Sequence, residues 1–123
     1  GGAGFDSTAP AILYLLDVVA PDGTNLIKLG ITGSDVDTRY ADEKASYYVV
    51  AEWDFELGAN ARDAETTLKR MLAEHRYNGE EQVLAAGGDS ELFDLPTDQV
   101  FAVLDDVCVD YGGTLHFHRE LSE

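Results

Sequence analysis

Four side chains in this sequence are hard to assign to packing alone: Tyr14, Lys28, Arg39 and Glu65. A phenol, an ammonium, a guanidinium and a carboxylate can between them pass a proton, hold an anion and hold a cation. Tyr14 sits in the middle of an apolar run. Lys28 lies inside a second extended run, where a lysine usually marks an exposed edge. Gly30 follows it, and a glycine there weakens the ladder and often marks the close approach of a backbone or ligand. Glu65 lies about 70° from the centre of its helix's apolar face, taking about 100° per residue. That is the border of core and solvent. Each residue also has an ordinary use: Tyr14 packs, Lys28 blocks edge pairing, Arg39 pairs with Asp35 or Asp42, and Glu65 pairs with Lys69 four residues on. The set asks for an explanation that no single member does.

The elements that must position them follow from hydrophobic period and turn chemistry. Ala11–Val19 (AILYLLDVV) has strand character, the turn-rich stretch Pro21 to Asn25 follows, and Leu26–Ile31 makes the second strand of an antiparallel hairpin. Ser34 is placed to cap a helix that runs to about Lys44, with Asp37 completing an approximate capping box. Tyr48–Glu56 alternates as a third strand with one polar face. Asn60 is expected to cap a stronger helix from Ala61 to about His75, its apolar face built from Ala61, Ala64, Leu68, Met71, Leu72 and His75. Glu91–Leu95 is a short extended piece stopped by Pro96. Thr97 caps a last amphipathic helix that ends at Gly112-Gly113, and Thr114–His118 adds a small edge strand. The expected fold is one α+β domain from residue 11 to 123, order β-β-α-β-α-(β)-α, with a small three-stranded antiparallel sheet flanked by helices. Residues 1–10 read as a small-residue leader or a remnant of a longer chain.

Size and charge limit the possibilities. The 123 residues make one domain, and a content of 45% hydrophobic and 26% charged residues is ordinary for a folded one. There is no apolar run of about 18 residues, so a membrane span is not expected. The single cysteine, Cys108, closes no intrachain disulfide, and a cytoplasmic setting suffices. A net charge of −16 repels polyanions as a whole. The bases are concentrated, however: Leu26–Arg39 and Arg62–Arg76 together hold 6 of the 8 bases and 5 of the 24 acids.

The order of these residues resembles the GIY-YIG nuclease superfamily. The closest likeness is to its phage-associated branch, whose second signature reads Lys-hydrophobic-Gly. The matching pieces are Leu13-Tyr14, Lys28-Leu29-Gly30-Ile31-Thr32, Arg39, Glu65 within Ala64–Leu68, and Glu91-Leu92-Phe93. Ile12 and Leu13 stand where the name motif has Gly and Ile. Lys69 stands where a histidine is common, and Leu92 where a Trp is usual. His75 is a candidate to replace the missing histidine, or else a core residue on the helix's apolar face.

The resemblance implies phosphodiester cleavage of DNA with one divalent metal. Glu65 would hold Mg²⁺ or Mn²⁺, Arg39 would clamp the phosphate, and Tyr14 would orient or deprotonate the attacking water with Lys28 as its cationic neighbour. Lys69, Arg70 and Arg76 would follow the DNA backbone, with Tyr47, Tyr48 or Trp53 offering stacking surface. Other domains of a longer chain are expected partners, the branch implies a phage-encoded protein, and a salt-adapted source would suit the charge. Two rivals fit the same residues: an inert binding module of the same fold, and an acidic DNA mimic that occupies a basic protein.

Overall fold

The runs of apolar residues that open the sequence pair as strands. The computed structural model describes residues 7–19, 23–33, 47–77 and 92–119. Strands β1 (Ala11–Val19) and β2 (Asn25–Thr32) form the antiparallel hairpin, and β3 (Tyr47–Phe55) joins β1 on its other side. Helix α1 (Gly58–Met71) and a 3-10 turn (Ala73–His75) follow. Next come β4 (Leu92–Phe93), helix α2 (Thr97–Asp110) and β5 (Thr114–His118). The sheet order is β4-β2-β1-β3-β5, antiparallel throughout, so the expected three strands form its centre and two short strands widen it to five. The expected helix from Ser34 to Lys44, which carries Arg39, lies outside the described residues, as does Glu91.

Alternation along the strands sorts the side chains onto two faces. Leu13, Leu15, Ile27, Leu29 and Trp53 pack with Ala61, Ala64 and Leu68 of α1 and with Val100 and Leu104 of α2. This is the main core. Tyr14, Leu16, Val18, Leu26 and Leu92 form a smaller cluster on the opposite face. Trp53, expected as stacking surface, is 0% exposed, and its Nε1 donates to Asp105 Oδ1 at 3.0 Å. A large ring on the strand's inward side removes more apolar area from water than any polar use would return.

Helix boundaries depart from expectation for local reasons. Asn60 does not cap α1. The helix starts earlier, because the carbonyls of Ala9 and Ser7 accept from the N–H groups of Gly58 (2.7 Å) and Ala59 (2.8 Å). Backbone from the segment before β1 thus satisfies donors that a capping side chain would otherwise take. Thr97 likewise makes no cap; Pro96 holds that position, without a side-chain bond. At the other end of α2, Gly112 N–H donates to Val109 and Gly113 N–H to Cys108, with Gly112 at φ +88°. That pair of bonds is a Schellman closure, and the left-handed φ is why glycine stands there. Among the described residues, no helix is long and apolar enough to cross a membrane.

The Cys108 thiol is buried, and burial together with the Asp105 charge pushes its pKa up to about 12 from a usual 9.0. The folded state keeps a proton that the unfolded chain releases, so stability falls as pH rises between those values. At neutral pH a thiol reagent is expected to label Cys108 only as fast as the domain opens. Immediate labelling of the folded protein would contradict this burial.

Candidate functional site

The hairpin register decides which polar residues meet. Tyr14 pairs directly with Gly30, and Lys28 pairs with Leu16, one position along the same face. Ile12 pairs with Thr32, which brings that hydroxyl onto the face as well. Tyr14 and Lys28 are each 1% exposed and Thr32 is 6% exposed. Lys28 is therefore not the solvent-facing guard of an edge, because β1 flanks its strand on one side and Leu92 of β4 on the other.

Gly30 is there because Tyr14 needs the room. A Cβ built on Gly30 would overlap the hydroxyl and ring of Tyr14. The phenol therefore lies flat across β2 at the one residue without a side chain. The close approach that this glycine signals comes from within the fold. A buried ammonium is costly unless it is bonded. Among the described residues, no buried side-chain nitrogen or oxygen lacks a partner.

Glu65 is more buried than its helical position suggested, at 7% exposure. The expected apolar face included Met71 and His75, which pulled its centre away from Glu65. Both are exposed, since α1 stops at Met71 and a 3-10 turn carries His75 off the stripe. Measured from Ala61, Ala64, Leu68 and Leu72 alone, Glu65 lies about 55° from the centre at about 100° per residue. His75 is thus neither a core histidine nor on the same helix as Glu65. The Glu65 carboxylate lies 3.4 Å from Lys69 Nζ, the i,i+4 pair foreseen as its ordinary role.

The helix carrying Glu65 packs on the sheet face opposite Tyr14 and Lys28. β4 pairs only with Ile27 and Lys28, so Gly30–Thr32 is the outer edge of the sheet among the described residues. Arg70 and Arg76 are exposed, while Lys69 is half-buried against Glu65. Tyr48 is exposed, with the Arg119 guanidinium 5.4 Å from its ring centre, and only the backbone of Tyr47 is described.

Sequence reasoning gave no role to Glu52, which pairs with Tyr14 from the β3 side, or to Phe117, which pairs with Glu52 from β5. The alternation of Glu52, Asp54 and Glu56 signalled a polar face on β3. It did not signal that this face continues that of Tyr14. Among the described residues, no three His, Cys, Asp or Glu side chains cluster in a way that could hold a metal.

The chain is an α+β domain of the phage-associated, nuclease-like class. It belongs to the T5orf172 domain family, whose match spans residues 11–108 and so ends before β5. No curated protein and no solved structure matches it.

Proposed function

We propose that this domain is a divalent-metal-dependent DNA endonuclease of the GIY-YIG type. The observation that carries the proposal is the Tyr14 phenol laid across Gly30 beside buried Lys28, in a T5orf172 domain. Packing alone does not call for a phenol and an ammonium together on a buried strand face. Proton transfer next to a phosphate does.

In this reading Tyr14 orients the attacking water and takes its proton. A phenol ordinarily ionises at about 10, so that role needs a neighbouring cation, which Lys28 supplies. Arg39 clamps the non-bridging oxygens as charge develops on them. Glu65 would hold Mg²⁺ or Mn²⁺, which would supply Lewis-acid stabilisation of the charge that develops in the reaction. The carboxylate and the phenol lie on opposite faces of the sheet, so in this reading the substrate reaches both around the outer edge at Gly30–Thr32. Lys69, Arg70 and Arg76 give the strand of DNA a local path across a surface that otherwise repels it.

The test is conversion of supercoiled plasmid to nicked or linear forms with Mg²⁺ or Mn²⁺, across a salt series, against a chelator control. Metal-dependent cleavage is expected, rising with salt as repulsion is screened and then falling as phosphate contacts weaken. The Glu65–Lys69 contact favours one other reading, an inert binding module of the same fold. DNA binding without cleavage under every metal condition would establish that reading instead.

A further inference from the structure

We infer that the cavity at the end of the sheet between Ile12, Gly33 and Asp54 takes an unpaired, amine-bearing nucleobase from the nucleotide beside the cut phosphate. The inference rests on the DNA-cleaving reading above. The cavity measures about 270 Å³ and is lined by Pro10, Ala11, Ile12, Gly33, Asp54 and Phe55. Register explains its walls. Ile12 pairs with Thr32 on one side and with Asp54 on the other, and Ala11 pairs with Phe55. Residues paired in an antiparallel ladder share a face. Ile12 and Asp54 therefore come from the face of Tyr14, and the buried Ala11 and Phe55 from the face of the main core. Ile12 is two residues from Tyr14, about 7 Å along β1. Gly33 directly follows the edge residues Gly30–Thr32. The cavity thus borders the edge around which the substrate is proposed to pass, within reach of a nucleotide flanking the one being cut.

The chemistry of the walls selects a base over a phosphate. Pro10, Ala11, Ile12, Gly33 and Phe55 carry no hydrogen-bonding side chain, and the Asp54 carboxylate repels an anion. Apolar walls with one polar group to fix orientation are the pattern of a small-ligand site. Drug-sized ligands occupy about 300–1,000 Å³, so a cavity just below that range suits a single planar base. The Asp54 side chain is 53% exposed and stands at the rim, where His116 Nδ1 anchors its Oδ2 at 3.1 Å. A carboxylate has two oxygens with about four acceptor positions, so a carboxylate anchored at one oxygen still accepts at the other. An exocyclic amine such as cytosine N4 or adenine N6 is the matching donor. Thymine fits less well, because its one ring N–H lies between two carbonyls that face the carboxylate. A base must leave the duplex stack to enter such a cavity, so the occupant is unpaired. Gly33 leaves the space open: a Cβ built there meets nothing within 4 Å, and its φ lies outside the left-handed region.

The test is an amide NMR titration with short oligodeoxycytidine, oligodeoxyadenosine and oligothymidine, with chelator present so that binding is read without cleavage. Wild type is expected to bind the first two more tightly than oligothymidine, with the amides of Ile12, Gly33 and Asp54 among those that shift. Gly33→Val, which fills the cavity, is expected to weaken binding of the first two by about tenfold at an unchanged melting temperature. Gly33→Ala is expected to weaken it less. Asp54→Asn, whose amide donates as well as accepts, is expected to bring the preference against oligothymidine close to unity. His116→Gln leaves the carboxylate in place and is expected to keep the preference; its loss there would overturn the assignment to Asp54. Three further results would overturn the inference: no binding by wild type, equal affinity for all three strands, or unchanged binding by Gly33→Val. Cleavage of plasmid by wild type with none of these binding differences would sink the base site and leave the nuclease standing. The binding pattern without cleavage would support the base site and sink the nuclease.

Discussion

Gly30→Ala is expected to cost about 1–3 kcal/mol of stability and to take most of the cleavage activity with it. In an ordinary strand the same change would be neutral or gain a fraction of a kcal/mol, because glycine gives up more backbone freedom on folding than alanine does. Here the sign reverses. The added methyl would occupy the position of the Tyr14 phenol, and that ring is 1% exposed. Either the ring leaves its rotamer or the hairpin opens, and each removes the phenol from beside Lys28. The melting temperature should fall by several degrees. Because the two residues compete for one volume, the double variant Gly30→Ala with Tyr14→Ala should lose less than the sum of the singles. A Gly30→Ala protein with unchanged melting temperature and unchanged cleavage would contradict this account of the glycine.

Glu65→Gln is expected to separate activity from stability. The amide keeps the shape and packing of the carboxylate within the 61/65/68 stripe of α1. In the fold it weakens the ion pair with half-buried Lys69. Such pairs are worth at most about 1 kcal/mol, so thermal unfolding should move little. Cleavage should fall by about 100-fold or more, since loss of a residue that merely supports a metal ligand already costs about 10–100-fold. The response to Mg²⁺ or Mn²⁺ should also disappear. Metal-stimulated cleavage that survives in Glu65→Gln would assign the carboxylate to the Lys69 pair alone.

The sheet was legible in the sequence because its strands are long, apolar and separated by strong turn residues. β1, β2 and β3 lie within a residue or so of where alternation placed them, and even the two-residue strand at Leu92–Phe93 falls inside the predicted extended piece. The helix starts were less legible. Asn60 and Thr97 are good capping residues by type, yet α1 takes its cap from backbone carbonyls of Ser7 and Ala9, a tertiary contact that local pattern does not encode. The helix end misled too: Met71 and His75 continued the period, but α1 ends at Met71 and the chain tightens into a 3-10 turn over Ala73–His75. In the site, Tyr14, Lys28 and Gly30 were readable as anomalies, since each breaks the rule for its place in a strand. Their register was not: they proved to be a stacked pair with a diagonal neighbour. Glu52 and Phe117 were unreadable for the same reason, because an alternating acid and an edge aromatic are ordinary until cross-strand pairing puts them in line with Tyr14. Trp53 shows the reverse error, a residue chosen for its chemistry that burial had already claimed.

What decides the matter is whether groups approaching from the two sides of the sheet serve a single phosphate. A kinetic cycle on plasmid cleavage, with Tyr14→Phe, Glu65→Gln and the two combined, measures that directly. Residues acting as one unit are strongly non-additive. The expected result is that the combined variant is no slower than the worse of the two single variants. Losses that multiply, or single variants as fast as wild type, would mean that the phenol and the carboxylate work apart.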